Sequence, residues 1–444
     1  ISLLSKFFTF KLPQGKNLIY TGLLITALVF IAKNLALIFN HWKETYFLRS
    51  LQYEFTNRLF KYYLKSEYIF FLQNNSAHLY RNLTDIISSF VSYIKSQMMF
   101  ISEIIVFLGI ASLLFYVNFL GTTIILFLVG VVSILIYIST IGKISRFGQE
   151  RNIAGAKLNK HLLQGMSAAK DVKILDREDD LIYQVDKNLF KQTKLNQIVQ
   201  FISGLPRFSF EILLVFIFAG LVFIMTEAKK DMVDIIQYLG VFAVASFRII
   251  PSASRIITSF QSIKYMEPSV KILLNEFSVN KNYDKKNNYE EKNLNKSLNF
   301  QKEINLKNLS FSYPTRKDFS LSRISLDIKK GDFIGIIGET GSGKSTLINL
   351  LIGLLNPSEG EIEVDKLKIH LNLPEWHKKI GYVPQSIYLT DDTIRKNIAF
   401  GLKDEDIDNQ LIEKALEKAS LNKFLNTLKN GLDTIVGEKG IRLS

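Results

Sequence analysis

Residues 333–355 read FIGIIGETGSGKSTLINLLIGLL and decide the fold of the C-terminal part of the chain. The apolar run Phe333–Ile337 predicts a buried strand, and Leu347–Leu355 predicts a helix. Between them the sequence fits Gly-x-x-x-x-Gly-Lys-Ser, a phosphate-binding loop that requires this strand and helix around it. The residues expected to line the phosphates are Gly338, Glu339, Thr340, Gly341, Ser342, Gly343, Lys344, Ser345 and Thr346.

Each part of this loop has a chemical task. Glycines let backbone N–H groups close around phosphate oxygens, and the N-terminus of the following helix adds a partial positive charge. Lys344 can reach the β- and γ-phosphates of a nucleotide, and the Ser345 hydroxyl can ligate Mg²⁺. The loop therefore predicts ATP and Mg²⁺ as cofactors.

The composition indicates a membrane part joined to a soluble part. The chain has 444 residues, of which 48% are hydrophobic and 22% are charged, and its mean hydropathy is +0.14. A net charge of +14 fits either nucleic-acid binding or the basic cytoplasmic loops of a membrane protein. The absence of cysteine excludes disulfides and thiolate metal sites.

Five stretches are long and apolar enough to span a bilayer, which takes roughly 20 residues. The alternative is that each is a buried core helix, which five such stretches in one chain disfavour. The predicted spans are Leu18–Phe39, Met98–Val117, Phe119–Ile141, Phe208–Met225 and Met232–Ile250.

The two long connections between spans are basic, and the positive-inside rule places both in the cytoplasm. Asn40–Gln97 and Gly142–Pro206 are expected to extend the spans as helices, with short transverse helices near Ser66–Asn74 and Asp171–Arg177. This topology places the first residues outside the membrane, so we expect a sixth helix upstream of Ile1.

The character of the chain changes after the fifth span. We expect a transmembrane domain over residues 1–279, an Asn- and Lys-rich linker over 280–302 and a soluble α/β domain over 303–444. The strands predicted in that last domain are Ile304–Leu306, Ile324–Ile328, Phe333–Ile337, Ile362–Val364 and Ile380–Val383. The helices predicted there are Ser345–Leu355 and Asp406–Ala419.

Four short segments around the loop carry a resemblance to a known family. They are Phe311-Ser312-Tyr313-Pro314, Gly381-Tyr382-Val383-Pro384-Gln385, Val436-Gly437-Glu438-Lys439-Gly440 and Leu443-Ser444. In this order they resemble the nucleotide-binding domain of ATP-binding cassette (ABC) transporters. The resemblance implies that Tyr313 stacks on adenine, and that Gln385 ligates Mg²⁺ and touches the transmembrane helices.

With the spans, the whole chain resembles an exporter half-transporter. The implied fold is an α-helical transmembrane domain, with five of six spans present, joined to a truncated α/β P-loop nucleotide-binding domain. The resemblance also implies a homodimer in the bacterial inner membrane, with the cassette in the cytoplasm. Leu443-Ser444 resembles the first two residues of the family's signature motif. We expect the rest of that motif beyond Ser444, together with the Walker B Asp-Glu pair and the switch histidine. We therefore name no catalytic base and expect the chain alone to be inactive.

Three cations in or beside the spans, Lys33, Arg207 and Arg248, are expected to line an anion-binding cavity, because a charge inside a membrane is costly. Snorkelling to the lipid headgroups is the alternative. Residues 247–259 also resemble the last-helix segment of bacterial lipid-linked oligosaccharide flippases. This implies a polyprenyl-pyrophosphate glycan as cargo, moved from the inner to the outer leaflet.

Two other functions remain open at this point. One is an ABC exporter of another lipid, a peptide or a drug. The other is a soluble P-loop ATPase that binds nucleic acid, which the predicted spans disfavour. We therefore expect a phosphate-bearing lipid and the bilayer as partners, and no nucleic acid.

Overall fold

The computed structural model describes residues 16–117, 119–228, 231–290, 300–314, 318, 320–437 and 440. The side chains of some residues inside the helices, Arg248 among them, lie outside this description. The chain divides into two compact units, Ile1–Asn295 with Ser345–Pro357 and Lys296–Lys344 with Ser358–Ser444. The domain bounds expected from the sequence stay a prediction.

The first unit is helical. Its helices are α1 (Lys16–Lys65), α2 (Tyr68–Gln73), α3 (Ser76–Arg81), α4 (Ile87–Val117), α5 (Phe119–Ser167), α6 (Ala169–Leu175), α7 (Glu178–Glu227) and α8 (Met232–Glu290). A single π-helical turn, Asn82–Ile86, joins α3 to α4. The short helices α2 and α6 confirm those expected near Ser66–Asn74 and Asp171–Arg177.

Four helical stretches are long and apolar enough to cross a membrane: Ile19–Lys65, Ser76–Tyr116, Gly121–Ser167 and Glu178–Glu227. They contain the first four predicted spans almost completely. They also continue well beyond these spans, as expected for spans that extend as helices into the long basic segments. The fifth predicted span, Met232–Ile250, forms the start of α8. Many of its side chains lie outside the described residues, so its apolar character is not tested.

Helix α8 is the common packing partner of the bundle. Phe210 of α7 is fully buried among Ile125 and Val129 of α5 and Ala253 and Ile257 of α8. A second cluster joins α1, α3 and α4 to α8 and is formed by Leu59, Tyr62, Tyr63, Leu79, Ile86, Ile87 and Leu273. Burial of these apolar side chains is the main favourable contribution that holds the helices together.

Gly148 marks the closest approach of α5 to α8. A Cβ atom at this position would lie 2.3 Å from the backbone carbonyl oxygen of Tyr265 and 3.4 Å from Cγ of Pro268. Only a residue without a side chain lets the two backbones meet at this distance.

The first half of α1 contrasts with its second half. In the most apolar window of α1 none of the residues is buried, and Leu24, Phe30 and Leu35 are each more than half exposed. The second half carries Leu59, Tyr62 and Tyr63, which are buried. The apolar first half therefore requires an apolar environment, such as a bilayer.

The second unit contains one antiparallel sheet of four strands in the order β2-β1-β3-β4. The strands are β1 (Glu303–Phe311), β2 (Leu321–Lys329), β3 (Glu359–Val364) and β4 (Leu367–Lys368). The helices that start beyond β2 are α9 (Lys344–Leu351), α10 (Leu373–His377), α11 (Ile394–Ile398), α12 (Asn409–Lys418) and α13 (Asn422–Thr427). Three of the five predicted strands and both predicted helices are confirmed, with shifts at their ends.

Asp365 ties the start of the sheet together. Its carboxylate accepts hydrogen bonds from the backbone N–H groups of Gln301, Lys302 and Glu303 at 2.5, 2.9 and 2.9 Å. These donors, Gln301 first, hold the pKa of Asp365 below its ordinary value because they stabilise the ionised form.

The prediction of buried strands at Phe333–Ile337 and Ile380–Val383 is wrong. Neither segment forms a strand, and Phe333, Ile337 and Val383 are almost entirely exposed. A central strand of a parallel sheet is stabilised by neighbouring strands on both sides and by helices on both faces. No strand among the described residues pairs with either segment, so their apolar composition alone does not produce a strand.

Candidate phosphate-binding site

The glycine-rich loop between Ile337 and α9 is a turn whose geometry depends on its glycines. Gly341 and Gly343 have φ angles of 89° and 92°, in the left-handed region that favours glycine. The backbone N–H of Ser342 donates to the carbonyl oxygen of Glu339 at 3.2 Å and closes the turn. The predicted loop is therefore formed, although the strand expected before it is not.

Two glycines of the loop have no room for a side chain. A Cβ atom at Gly338 would lie 2.7 Å from the Ser342 hydroxyl oxygen. A Cβ atom at Gly343 would lie 2.6 Å from Cδ2 of Leu321 and 2.9 Å from the carbonyl oxygen of Ser320. The loop is thus packed against the start of β2, a support that the motif itself did not reveal.

The Lys344 ammonium lies inside the loop. It donates to the carbonyl oxygens of Gly338 and Glu339, both at 2.6 Å. These partners are neutral, and a phosphate oxygen placed in the loop would offer a stronger, charge-assisted hydrogen bond. The Lys344 ammonium therefore already lies where a phosphate bound in the loop would be within its reach.

The helix that follows the loop starts at Lys344. Ser345, in its first turn, is exposed, whereas Thr346, Leu347 and Leu350 are buried. The first N–H groups of a helix have no partner within the helix and carry partial positive charge. The glycine turn and Lys344 fit the phosphates of a nucleotide, and Ser345 as a ligand of Mg²⁺ stays a prediction.

Tyr313 lies two residues beyond the end of β1. Its ring contacts that of Phe311 edge-on, with the ring centroids 4.8 Å apart. The carbonyl oxygen of Phe311 accepts a hydrogen bond from the backbone N–H of Ser320 at 2.8 Å. Ser320 also packs against Gly343, so the end of β1 and the phosphate-binding loop both lie next to Ser320.

Gln385 is placed differently. It lies in an exposed bend after the unpaired Ile380–Val383 segment, and no hydrogen bond joins it to the loop among the described residues. Its role as a Mg²⁺ ligand, like the stacking of adenine on Tyr313, stays a prediction.

Two of the three cations predicted to line a cavity, Lys33 and Arg207, have side chains that the structure describes. Arg207 donates from Nε to Glu211 of the same helix at 2.9 Å, and the Lys33 ammonium lies 5.2 Å from the Phe30 ring centroid. Both side chains are exposed, and the Arg248 side chain lies outside the described residues. The lining stays a prediction, with the pairing of Arg207 as new information.

One ion pair between α4 and α8 was missed by the sequence analysis. Arg255 of α8 donates from Nε to Oε1 of Glu103 on α4 at 2.5 Å and from Nη2 to Oε2 at 3.2 Å. Ser252, which is fully buried, donates to Oε2 of Glu103 at 2.6 Å. The sequence did hold an indication of this pair, because Glu103 is the one carboxylate within the predicted span Met98–Val117 and a charge there favours a partner.

Comparison with known proteins supports the assignment of the loop. Residues 321–444 match the family model described as "ABC transporter". The chain is 37% identical over 139 residues to an ATP-dependent lipid A-core flippase of Pasteurella multocida. It is 41% identical over 139 residues to a protein of the same name from Coxiella burnetii. It is also 38% identical over 141 residues to ABC transporter B family member 21 of Arabidopsis thaliana.

These matches concern one part of each protein. Each covers 31% of this chain, and they cover 24%, 23% and 11% of the three relatives, respectively. The structural comparison extends further. A solved structure described as a bacterial Atm1-family ABC exporter with ATP bound matches with a TM-score of 0.75, covering 97% of this chain and 75% of that one. At 16% identity this likeness shows the fold alone.

The C-terminal segment of this chain is thus similar in sequence to ABC transporters. The fold of the chain is similar to that of an ABC exporter, with helices apolar enough to span a membrane and a phosphate-binding loop on one polypeptide.

Proposed function

We propose that this chain is part of an ATP-driven exporter that moves a lipid-linked cargo across a membrane. The observation that carries the proposal is the presence of a formed phosphate-binding loop on the same chain as four helices apolar enough to span a bilayer. ATP bound at the loop would supply the energy for transport. Lys344 would hold its phosphates, and Ser345 with Gln385 would hold Mg²⁺.

The cargo that we favour is a polyprenyl-pyrophosphate-linked oligosaccharide, moved from the inner to the outer leaflet. Its support is the sequence of residues 247–259 and the cations Lys33, Arg207 and Arg248, since guanidinium and ammonium groups bind phosphates. The flippases that match the C-terminal segment favour a second candidate, another lipid. A drug cargo is a third candidate, favoured by a relative described as a probable multidrug resistance ABC transporter of Bacillus subtilis, which is 38% identical over 138 residues.

We further propose that two copies of the chain act together in a bacterial inner membrane, with the nucleotide-binding part in the cytoplasm. Support comes from the basic segments Asn40–Gln97 and Gly142–Pro206, which favour the cytoplasmic side. That the chain alone binds ATP without hydrolysing it also stays a prediction, which phosphate release from the purified chain tests.

The test of the nucleotide site is ATP binding by the purified chain in detergent micelles, measured by displacement of a fluorescent ATP analogue. We expect Lys344→Ala to weaken ATP affinity at least about tenfold, because a charge-assisted contact to phosphate is lost. Lys330→Ala, which changes an exposed lysine outside the loop, is the matched control. Equal affinity of the Lys344 variant and the unchanged chain would contradict the proposal.

The test of the cargo is binding of polyprenyl pyrophosphate, which does not depend on ATP turnover. We expect the pyrophosphate to bind more tightly than the uncharged polyprenol, and the triple variant Lys33→Gln, Arg207→Gln, Arg248→Gln to lose that preference. Lys61→Gln, at an exposed position of α1, is the control. A preference that survives in the triple variant removes these residues from the cargo site and leaves the ATP site untouched.

A further inference from the structure

A cavity of about 760 Å³ lies between α1 and α4. It begins where two predicted spans end: Asn40 follows the first span, and Met98 is the first residue of the second. The two helices run in opposite directions, so both boundaries lie at the same side of the membrane. The cavity is therefore at the level of the lipid headgroups on the side of the long basic segments.

The polar part of the lining of this cavity carries an excess of positive charge. Lys43 and Lys95 line it, together with His41 and Glu44. Glu44 is 3.9 Å from Nδ1 of His41, and no described carboxylate lies within 4.0 Å of either lysine. Two ammonium groups against one carboxylate leave the wall with an excess of positive charge.

Apolar side chains share the lining of the cavity with these charged groups. Phe47, Met98 and Met99 form part of its lining, and Phe47 and Met99 are 46% and 40% exposed. Methionine side chains adapt to irregular, flexible ligands such as acyl chains. A ligand that fits both kinds of lining therefore has an anionic group joined to a hydrocarbon chain.

Aromatic residues beside the cavity indicate the same depth in the membrane. Trp42 stacks on Tyr46 with ring centroids 6.1 Å apart, and the Lys43 ammonium is 5.4 Å from the Trp42 ring centroid and 5.5 Å from that of Phe39. Tryptophan and tyrosine concentrate at the membrane–water interface. The rings hold the Lys43 ammonium at the cavity while leaving it without a carboxylate partner among the described residues.

We propose that this cavity binds one anionic phospholipid of the cytoplasmic leaflet, separate from any cargo. The phosphate lies between Lys43 and Lys95, and an acyl chain lies along Phe47, Met98 and Met99. The volume suits a headgroup with the upper part of a chain, since ligand cavities typically measure about 300–1,000 Å³. Only the choice of leaflet rests on the orientation proposed above.

The test is native mass spectrometry of the purified full chain titrated with phosphatidylglycerol and, separately, with phosphatidylethanolamine. We expect tighter binding of phosphatidylglycerol, and about a tenfold loss of that affinity in the double variant Lys43→Gln, Lys95→Gln. Lys43→Arg, Lys95→Arg should keep the affinity, because the charge is kept. The control Lys61→Gln, Lys157→Gln removes two exposed lysines outside the cavity and should change nothing.

Several outcomes would overturn the proposal. They are unchanged affinity in the Lys43 and Lys95 variant, an equal loss in the control, or binding of phosphatidylethanolamine as tight as that of phosphatidylglycerol. Displacement of the lipid by soluble glycerol 3-phosphate would assign the cavity to free phosphates instead. Lipid bound by monomers and absent from dimers in the same spectrum would assign it to a second copy of the chain.

A measurement without substitutions guards against a variant that fails to fold. Phosphatidylglycerol affinity of the unchanged chain should fall as salt concentration rises, because exposed ammonium–phosphate contacts are screened. Affinity independent of salt would equally overturn the proposal. Loss of ATP binding in the Lys344 variant leaves this result unaffected, so the two proposals fail separately.

Discussion

Two carboxylates connect α8 to other helices of the first unit, and their partners differ in kind. Glu103 of α4 is paired with a full positive charge, Arg255, and with the Ser252 hydroxyl. Glu276 of α8 accepts from neutral donors, Tyr63 Oη at 3.2 Å and Asn82 Nδ2 at 3.0 Å. The first junction lies in the apolar part of the bundle and the second lies where α1 meets the π-helical turn.

The difference follows from the surroundings of each carboxylate. An ionised side chain within a membrane span usually faces an opposite charge, because an unpaired charge there is costly. Near the end of the bundle, neutral donors suffice to satisfy the oxygens of Glu276, yet burial raises its pKa above the ordinary value. The hydrogen bonds from Tyr63 and Asn82 and the nearby charge of Arg81 act in the opposite direction. The first junction therefore depends on charge, and the second on hydrogen bonding.

The largest effect is expected from Glu103→Ala. It leaves the Arg255 guanidinium without its counter-charge, so we expect a loss of about 3 kcal/mol in the free energy of unfolding. The measurement is denaturant unfolding in detergent micelles. Restoring balance with Glu103→Ala, Arg255→Ala should recover part of the loss. A single variant as stable as the unchanged chain would show that the pair is not needed.

A smaller loss is expected from Glu276→Ala. It leaves the Tyr63 hydroxyl without its acceptor, and it leaves the Asn82 amide with only one of its two acceptors, Tyr63 Oη at 3.2 Å. Both residues are 3% exposed. Unpaired buried groups of this kind cost about 1–3 kcal/mol in total. The same unfolding measurement applies, with Glu413→Ala on the exposed face of α12 as the control. A loss larger than that of Glu103→Ala would reverse the proposed ranking of the two junctions.

The smallest effect concerns pH. Because the pKa of Glu276 is raised in the folded chain, protonation favours folding. This contribution is fully present below the pKa of the unfolded chain and is lost as pH rises through the folded pKa. Glu276→Gln should therefore gain stability relative to the unchanged chain as pH rises from about 4 to 7, the lower limit being the ordinary pKa of glutamate. If the difference in free energy of unfolding between the two chains stays constant over that interval, ionisation of Glu276 does not affect the stability of this junction.

The same contrast explains what the sequence could predict. The phosphate-binding loop is contiguous, so residues 338–346 indicated its geometry and the position of Lys344 directly. The spans were likewise readable, because each is one apolar run. Neither carboxylate junction was found, since Ser252 and Glu103 are 149 positions apart and Glu276 and Tyr63 are 213 apart.

The unpaired segments Phe333–Ile337 and Ile380–Val383 failed for a related reason. An apolar run predicts burial, but whether it becomes a strand depends on neighbours elsewhere in the chain. The support of Gly343 by Ser320 and Leu321 is also tertiary and has no local sequence signal.

Helix α8 can be considered as a strut held at several points between Ser252 and Glu276, which are about 36 Å apart at 1.5 Å per residue. One of these points is the Ser269 hydroxyl, which accepts from Asn152 Nδ2 of α5 at 3.1 Å. Pro268 lies between Ser252 and Glu276 and removes one N–H donor from the helix backbone. Turning the strut about its own axis strains every one of these points, whereas bending it at Pro268 strains those beyond the proline. Bending is thus the movement of lower cost, and the contacts of Ser269 and Glu276 together set the load at which the far end of the strut begins to move.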